Sequence, residues 1–345
     1  MIEKSITTPP NGVAAEFGYY PMVCNIKTRR FILKTLPDHK EIVADVRGDP
    51  NVVKGWFYPG AQQVLKGGNR EMPYSARTFG LPKTHVLTLR KSESQEELVF
   101  VVWCLSFLTG MRLTTTDRGF LDATPILPGK LIDFSLSRCT LTDALNLALD
   151  YLESERSNPR ALRRVEAVIH TLFLAQHPQS LDFEKFQYLY MALDACFKLV
   201  ISKEPNISKP TGLEKSHAGR IQWMCHKFGL SVPGWATLDA QSKTELSIVR
   251  NDLSHEALFF DQPIGFAIYG GDHMKEKNIN MPLQMHALIC RLLVAILGRP
   301  GVGYVKTPID TRQRFALELR PTRLKNRWTV RNNFEARLRI SASQG

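Results

Sequence analysis

The feature that most constrains the fold is a helical spacing of apolar residues that runs from about residue 140 to residue 300. Apolar side chains recur there at intervals of three and four residues, which places them on one face of a helix. Six helices are predicted, and they begin near Thr142, Asn158, Asp182, Leu213, Gln241 and residue 282. Pro159 suits a first helical position, and Gly229 and Gly298 suit positions just after a last turn. This arrangement favours an antiparallel bundle.

Residues 1–139 carry a different pattern. Aromatic and β-branched residues between turn signals predict strands, which fall at residues 17–26, 30–36, 41–46 and 84–89. One helix is predicted after them, at residues 95–109, because Ser94 and Glu97 form a capping box before an apolar run. Gly110 is suited to end that helix. The run is apolar nearly all round, so the helix is expected to be buried.

The last part of the chain is strongly basic. From Lys306 onward it holds ten Lys and Arg against three Asp and Glu. Apolar and charged residues alternate in Arg314–Arg320 and Glu335–Ile340, a pattern typical of strands, and these are expected to return to the N-terminal sheet. The predicted fold class is therefore α+β. It comprises a β-rich mixed N-terminal domain (1–139), a helical bundle (140–300) and a basic C-terminal segment (301–345).

The charge of the chain points to a class of partner. Its 345 residues carry a net charge of +12, and the isoelectric point is near 9.5. Such a surplus attracts polyanions, of which nucleic acid is the first candidate. A basic protein without a polyanionic partner is the alternative.

Cysteine usage and hydropathy indicate the compartment. Six cysteines are scattered without a CxxC pair, which argues against a disulfide framework or a zinc site and favours a reducing compartment. The N-terminal sequence MIEKSITTPPNG lacks the apolar core of a signal peptide. The longest apolar run, residues 98–108, is shorter than the roughly 20 residues that cross a bilayer. A cytoplasmic protein with no membrane partner is expected.

Most motifs that carry chemistry are missing from the sequence. It contains no glycine-rich phosphate loop, no HExxH, no GxSxG and no clustered metal-ligand spacing. Gly298–Gly303 follows a helix rather than a strand and is interpreted as a helix stop. Neither a cofactor nor a metal is therefore expected.

One polar segment stands out, Arg250-Asn251-Asp252-Leu253-Ser254-His255, inside the fifth predicted helix. Asn251 and His255 are four residues apart and share a helix face, as do Arg250 and Ser254. Arg250 and His255 are five apart, which corresponds to about 140° around an α-helix. Two copies of the chain across a two-fold axis could therefore build one composite cleft.

These residue types suit metal-independent cleavage of RNA. Histidine, with an ordinary pKa near 6.5, acts as a general base or acid near neutral pH. Arginine supplies a permanent positive charge for a phosphate and its transition state. A base that removes the proton of a ribose 2′-hydroxyl lets that oxygen attack phosphorus, a reaction that DNA cannot undergo. The alternative for His255 is a structural histidine that is hydrogen-bonded within its own helix.

The segment resembles the HEPN superfamily (higher eukaryotes and prokaryotes nucleotide-binding), in which many members carry Arg, a polar residue, several more residues and then His. Arg250, Asn251 and His255 match that pattern, and residues 183–200 are similar to the long amphipathic helix that precedes the catalytic helix. The resemblance covers about 140–300. Arg163 and Arg164 with His170, and Arg220 with His226, also fit the spacing. Arg250 is followed by the polar Asn251, whereas Arg164 is followed by Val165 and Arg220 by Ile221.

The resemblance implies a helical bundle, a homodimer and a metal-independent endoribonuclease, in a toxin or antiphage effector that responds to a phage or antitoxin trigger. Arg250 would stabilise phosphate charge, His255 would transfer the proton, and Asn251 would orient the substrate or the histidine. The alternatives are a non-catalytic module that binds RNA, nucleotide or a partner protein, and the nucleotide-binding partner of a toxin–antitoxin pair. The N-terminal domain is expected to serve sensing, regulation or substrate selection.

Further residues are candidates for an RNA path. Lys198, Lys203 and Ser254 are predicted to contact RNA, although exposed lysines are commonly only solvated. Four aromatic residues are candidates for stacking on bases, with a place in the core as the alternative; they are Tyr188, Tyr190, Trp223 and Trp235.

Overall fold

The computed structural model describes residues 12–60, 62–65, 68–71, 73, 77–92, 94–117, 119–120, 122–136, 140–204, 212–213, 216–259, 262–263, 281–311 and 313–319. Within these residues the chain is mixed α+β. The strands are β1 (Val13–Phe17), β2 (Ile26–Lys27), β3 (Phe31–Thr35), β4 (Val52–Val53), β5 (Trp56–Phe57), β6 (Gln62–Leu65), β7 (Gly68–Glu71), β8 (His85–Leu89), β9 (Thr124–Pro125), β10 (Phe134–Leu136), β11 (Leu258–Phe259), β12 (Gln262–Pro263) and β13 (Phe315–Leu317).

The α-helices of the described residues are α1 (His39–Gly48), α2 (Gln95–Thr109), α3 (Leu141–Glu155), α4 (Pro159–Leu174), α5 (Asp182–Ile201), α6 (Gly219–Phe228), α7 (Glu245–Asn251) and α8 (Met281–Ile296). None of them is both long and apolar enough to cross a membrane.

The N-terminal region is built on an antiparallel sheet of four strands, in the order β1-β8-β3-β2. Leu87 and Leu89 of β8 and Phe31 and Leu33 of β3 are buried, because alternate residues of a strand face the same side. Strands predicted at 30–36 and 84–89 are confirmed, and the segment 17–26 contributes the end of β1 and the start of β2.

The predicted strand at residues 41–46 is wrong, because these residues lie in α1. Val43 and Val46 are buried there, and their spacing of three residues fits a helix that covers the sheet. The described part of the N-terminal region therefore contains two α-helices, α1 and α2, rather than the one predicted. β-branched residues favour strands on average, and tertiary packing has overridden that preference here.

The buried helix predicted at 95–109 is confirmed as α2. The Ser94 hydroxyl accepts a hydrogen bond from the backbone N–H of Glu97 at 3.5 Å, and Gly110 ends the helix with a φ of +61°. α2 contacts β1 and β8 on one side and α3 and α4 on the other. The hydrophobic core is consequently continuous from the sheet into the helical region.

Within the helical region, α5 is the central element, since it packs against α4, α6 and α8. Asn158 caps α4, with Pro159 at the first helical position as predicted. α6 begins at Gly219 rather than near Leu213, and it ends before Gly229, which has a φ of +60°. The α-helical part of the fifth predicted helix is also shorter than expected, and it ends at Asn251.

The basic C-terminal segment joins a different sheet from the one expected. β13 pairs in parallel with β10, in the register Phe134↔Phe315 and Leu136↔Leu317, and not with the four-stranded sheet. The predicted strand Glu335–Ile340 lies outside the described residues.

A buried arginine on α8 forms hydrogen bonds that connect this helix to the segments that lead to β10 and β13. The Arg291 side chain is fully buried, and its Nη1 donates to Asp133 Oδ2 at 2.6 Å and to the Ala287 carbonyl at 2.7 Å. Its Nε donates to the Thr307 carbonyl at 3.0 Å, and its Nη2 donates to the Pro308 carbonyl at 2.8 Å. A buried charge needs such complete pairing. Arg291 therefore links α8 to Asp133, which directly precedes β10, and to the Thr307–Pro308 segment that leads to β13.

Candidate functional site

The Arg250–His255 segment begins on a short helix, α7, whose N-terminus is capped by side chains. Thr244 caps α7: its hydroxyl accepts from the N–H of Ser247 at 3.1 Å, and the Ser247 hydroxyl accepts in turn from the N–H of Thr244 at 3.0 Å. Leu246, Val249 and Leu253 are buried. They hold one side of the segment against the core, so the polar residues between them face outward.

After Asn251 the backbone changes from an α-helix to a π-helix, over Asp252–Glu256. The N–H of Ala257 donates to the carbonyl of Asp252, five residues earlier, and Ala257 ends the turn with a φ of +54°. In a π-helix, residues five apart are stacked because each hydrogen bond joins residue i to residue i+5. Arg250 itself lies in the α-helical part, and the π-helical turn that carries His255 follows it, so the α-helical value of about 140° does not describe the relation between the two.

The side chains of this segment are open to solvent. Asn251, Ser254 and His255 are exposed, and Arg250 is half-buried. Arg250 Nη1 donates to the Asn251 amide oxygen at 2.9 Å. Asn251 thus orients Arg250. No described residue forms a hydrogen bond with the His255 ring, and both of its nitrogens are open to a ligand.

A second polar group lies on α5 and at the start of α6. Arg220 Nη1 donates to Asp194 Oδ1 and to His217 Nδ1, at 2.9 Å in each case. Arg220 lies in the first turn of α6, where a cation is unfavourable against the helix dipole, and the Asp194 carboxylate offsets that cost. The His217 side chain is exposed.

Electrostatic interactions connect this group with Arg250. Partial burial lowers the pKa of His217, and the positive charges of Arg220, Arg250 and Lys198 lower it further, while Asp194 acts in the opposite direction. Burial raises the pKa of Tyr190, and Arg250 works against that rise. We call these side chains the α5–α7 cluster; its members are Tyr190, Asp194, Lys198, His217, Arg220 and Arg250.

Apolar side chains of α5, α6 and α7 pack together beneath the cluster. Leu193 and Phe197 of α5, Ile221 of α6 and Leu246 of α7 line one small depression together with Tyr190. The Arg220 guanidinium lies 4.7 Å from the centre of the Phe197 ring, a distance at which the ring face attracts a cation.

The structure separates the two lysines that were predicted together. Lys198 is exposed and belongs to the cluster. Lys203 instead pairs with Glu155 at 2.7 Å and lies 4.8 Å from the centre of the Tyr151 ring. Its charge is therefore directed toward α3, away from the cluster.

The aromatic candidates also divide. Trp235 is fully buried, and its Nε1 donates to Gln284 Oε1 at 2.8 Å, so stacking on a base is excluded for it. Tyr188, Tyr190 and Trp223 are half-buried against the core. Among the other histidines that fit the spacing, His170 packs edge-on against Trp103, with ring centres 5.6 Å apart.

Sequence reasoning missed Asp194 and His217. Asp194 is an ordinary polar residue of an amphipathic helix, and it meets Arg220 only because α5 packs on α6. The described residues contain no group of three His, Cys, Asp or Glu side chains placed to hold a metal ion.

The chain matches no protein-family model, no curated protein and no solved structure. The case for its function therefore depends on the arrangement of its own side chains.

Proposed function

We propose that the chain is a metal-independent endoribonuclease that cleaves RNA at the Arg250–His255 segment. The observation that carries the proposal is the exposed π-helical turn over Asp252–Glu256, which carries His255 and follows Arg250, held by Asn251, at the end of α7. π-helical turns within α-helices are frequent at functional sites. A structural histidine would be packed or hydrogen-bonded, whereas His255 is exposed and no described residue forms a hydrogen bond with its ring.

Charge around the segment supports RNA as the substrate. Arg220 is balanced by Asp194, but among the described residues neither Arg250 nor Lys198 has an ion-pair partner. Unpaired cations on one exposed face attract the phosphates of a nucleic acid strand. The net charge of +12 acts in the same sense over longer distances.

The reaction assigns a role to each residue. His255 accepts the proton of the ribose 2′-hydroxyl, and the 2′-oxygen forms a bond to phosphorus. Arg250, held by Asn251, stabilises the charge that builds up on the phosphoryl oxygens. The bond from phosphorus to the 5′-oxygen breaks, and that oxygen takes a proton from the histidine. The products are a 2′,3′-cyclic phosphate and a 5′-hydroxyl.

The wider assignment rests on the HEPN resemblance. In it, residues 140–300 are a HEPN-like bundle that forms a homodimer in the cytoplasm, and the protein is a toxin or antiphage effector that is released by a phage or antitoxin trigger. The composite cleft between two copies would bring Arg250 and His255 together across a two-fold axis.

The test is incubation of the full chain with single-stranded RNA in the presence of EDTA. We expect cleavage by the wild type, a loss of about 100-fold or more for His255→Ala and a loss of about 100-fold for Arg250→Ala. His226→Ala is the matched control, because His226 is an exposed histidine at the far end of α6. An RNA with 2′-deoxyribose at every position should stay intact.

Two results would contradict the proposal. If His255→Ala and Arg250→Ala cut as fast as the wild type, the catalytic assignment is wrong. If the wild type binds RNA but leaves it uncut under all conditions, the chain is a binding module.

A further inference from the structure

The contact between Arg220 and His217 fixes the hydrogen positions of the imidazole. Arg220 Nη1 lies 2.9 Å from His217 Nδ1. A guanidinium is always protonated and has no acceptor, so Nδ1 must be the nitrogen without a hydrogen. The ring is therefore neutral, and its hydrogen is on Nε2, the nitrogen that points away from Arg220.

The surroundings keep the ring in this state. Partial burial, Arg220, Arg250 and Lys198 all lower the pKa of His217, against the single opposing carboxylate of Asp194. His217 thus stays uncharged at neutral pH and presents an N–H donor at an exposed position. A neutral histidine with a hydrogen on Nε2 cannot accept a proton there, which distinguishes His217 from the catalytic role given to His255.

We propose that His217 Nε2–H and Lys198 bind a second phosphate of a single-stranded RNA, next to the phosphate held by Arg250. This inference rests on the proposed function, since it extends the same site along the strand. Lys198 supplies the charge and His217 supplies a directed, uncharged hydrogen bond. Asp194 and Arg220 are positioning residues, because they hold His217 and do not themselves contact the RNA.

A neutral donor and a cation leave different signatures in salt. Each cation that contacts a phosphate of a single strand contributes about 0.7 to the slope of log affinity against log salt concentration. Removing Lys198 should lower both the affinity and this slope. Removing the donor of His217 should lower the affinity and leave the slope unchanged.

The experiment measures binding of a fluorescent 2′-O-methyl RNA by anisotropy over a series of salt concentrations. This RNA lacks the attacking hydroxyl, so binding is observed without cleavage. His217→Asn keeps an acceptor for Arg220, but its shorter side chain places no donor at the position of Nε2. We expect about tenfold weaker binding, as for a hydrogen bond to a charged group. His217→Gln restores a neutral donor and should recover part of the affinity.

Lys198→Gln should reduce the slope by about 0.7, and His226→Asn should bind as the wild type does. Circular dichroism confirms that each variant is folded. Wild-type affinity in His217→Asn, or a reduced slope in that variant, would overturn the subsite.

Cleavage of ordinary RNA, measured in parallel, separates this inference from the proposed function. A wild type that binds with these signatures and does not cut supports the subsite and contradicts the ribonuclease. If the wild type cuts RNA and His217→Asn binds it as the wild type does, the result supports the ribonuclease and contradicts the subsite. A wild type that neither binds nor cuts RNA overturns both.

Discussion

Arg291 on α8 and Arg250 on α7 place the same side chain in opposite environments. Arg291 is fully buried, and its donors reach Asp133, the Thr307 carbonyl and the Pro308 carbonyl. Arg250 is half-buried, and its one hydrogen-bond partner within the described residues is the neighbouring Asn251. A guanidinium has five N–H donors, and those of Arg250 are left largely for a ligand.

The same contrast separates two histidines. His85 is buried in the N-terminal sheet, with Nδ1 2.9 Å from the Thr84 hydroxyl and Nε2 3.2 Å from the Thr35 hydroxyl. His255 is exposed, and no described residue hydrogen-bonds its ring. Polar groups whose partners are all internal stabilise the fold, whereas groups without internal partners are available to a substrate. Residue type alone does not distinguish them.

The largest effect on stability is expected for Arg291→Met. The change removes the guanidinium donors from Asp133 Oδ2 and from the carbonyls of Ala287, Thr307 and Pro308. Breaking such a buried pair costs about 3–5 kcal/mol. Urea denaturation measures the free energy of unfolding. Arg299→Met is the control, because Arg299 is partly exposed and lies 3.6 Å from Asp150, and we expect a loss below about 1 kcal/mol. If Arg291→Met and Arg299→Met lost equal free energy of unfolding, the buried contacts of Arg291 would stabilise the fold no more than the exposed ion pair of Arg299.

The second prediction concerns pH. Burial, with a smaller contribution from His39, lowers the pKa of His85 to about 4. Between about 6.5 and 4 the unfolded chain therefore binds a proton at this residue that the folded chain does not, so stability falls as the pH falls through this window. The loss amounts to about 3 kcal/mol, and above pH 6.5 the residue has no effect.

Denaturation midpoints at pH 7, 5.5 and 4 test this expectation. His85→Gln should lose less stability over that range than the wild type does. If the stability of His85→Gln falls with pH as steeply as that of the wild type, His85 does not titrate in this way.

The smallest effect is expected for Arg250→Ala. Its one hydrogen-bond partner within the described residues is the exposed Asn251. The free energy of unfolding should therefore change by less than about 0.5 kcal/mol, although RNA cleavage is expected to fall steeply. Urea denaturation alongside the cleavage assay checks both. A destabilisation as large as that of Arg291→Met would mean that Arg250 is a structural residue.

Features determined within one helical turn could be predicted from the sequence. Ser94, Gly110 and Pro159 mark helix ends correctly, because a cap depends on a few adjacent residues.

The Arg220–Asp194 contact could not be predicted, since it joins residues 26 apart in the chain and depends on how α5 packs on α6. α1 was missed because its β-branched residues favour a strand by local preference. The π-helical turn has no separate sequence signal, so the sequence predicts a continuous α-helix from Arg250 to His255.

The π-helical turn at 252–256 also affects how this segment would tolerate a deletion or an insertion. An α-helix aligns residues four apart, and a π-helix aligns residues five apart. If one residue between Arg250 and His255 were deleted, the two would be four residues apart, and a segment that closed as an α-helix would place both side chains on one face. A deletion in this segment would therefore bring the two residues together, provided that the backbone exchanges one hydrogen-bond pattern for the other.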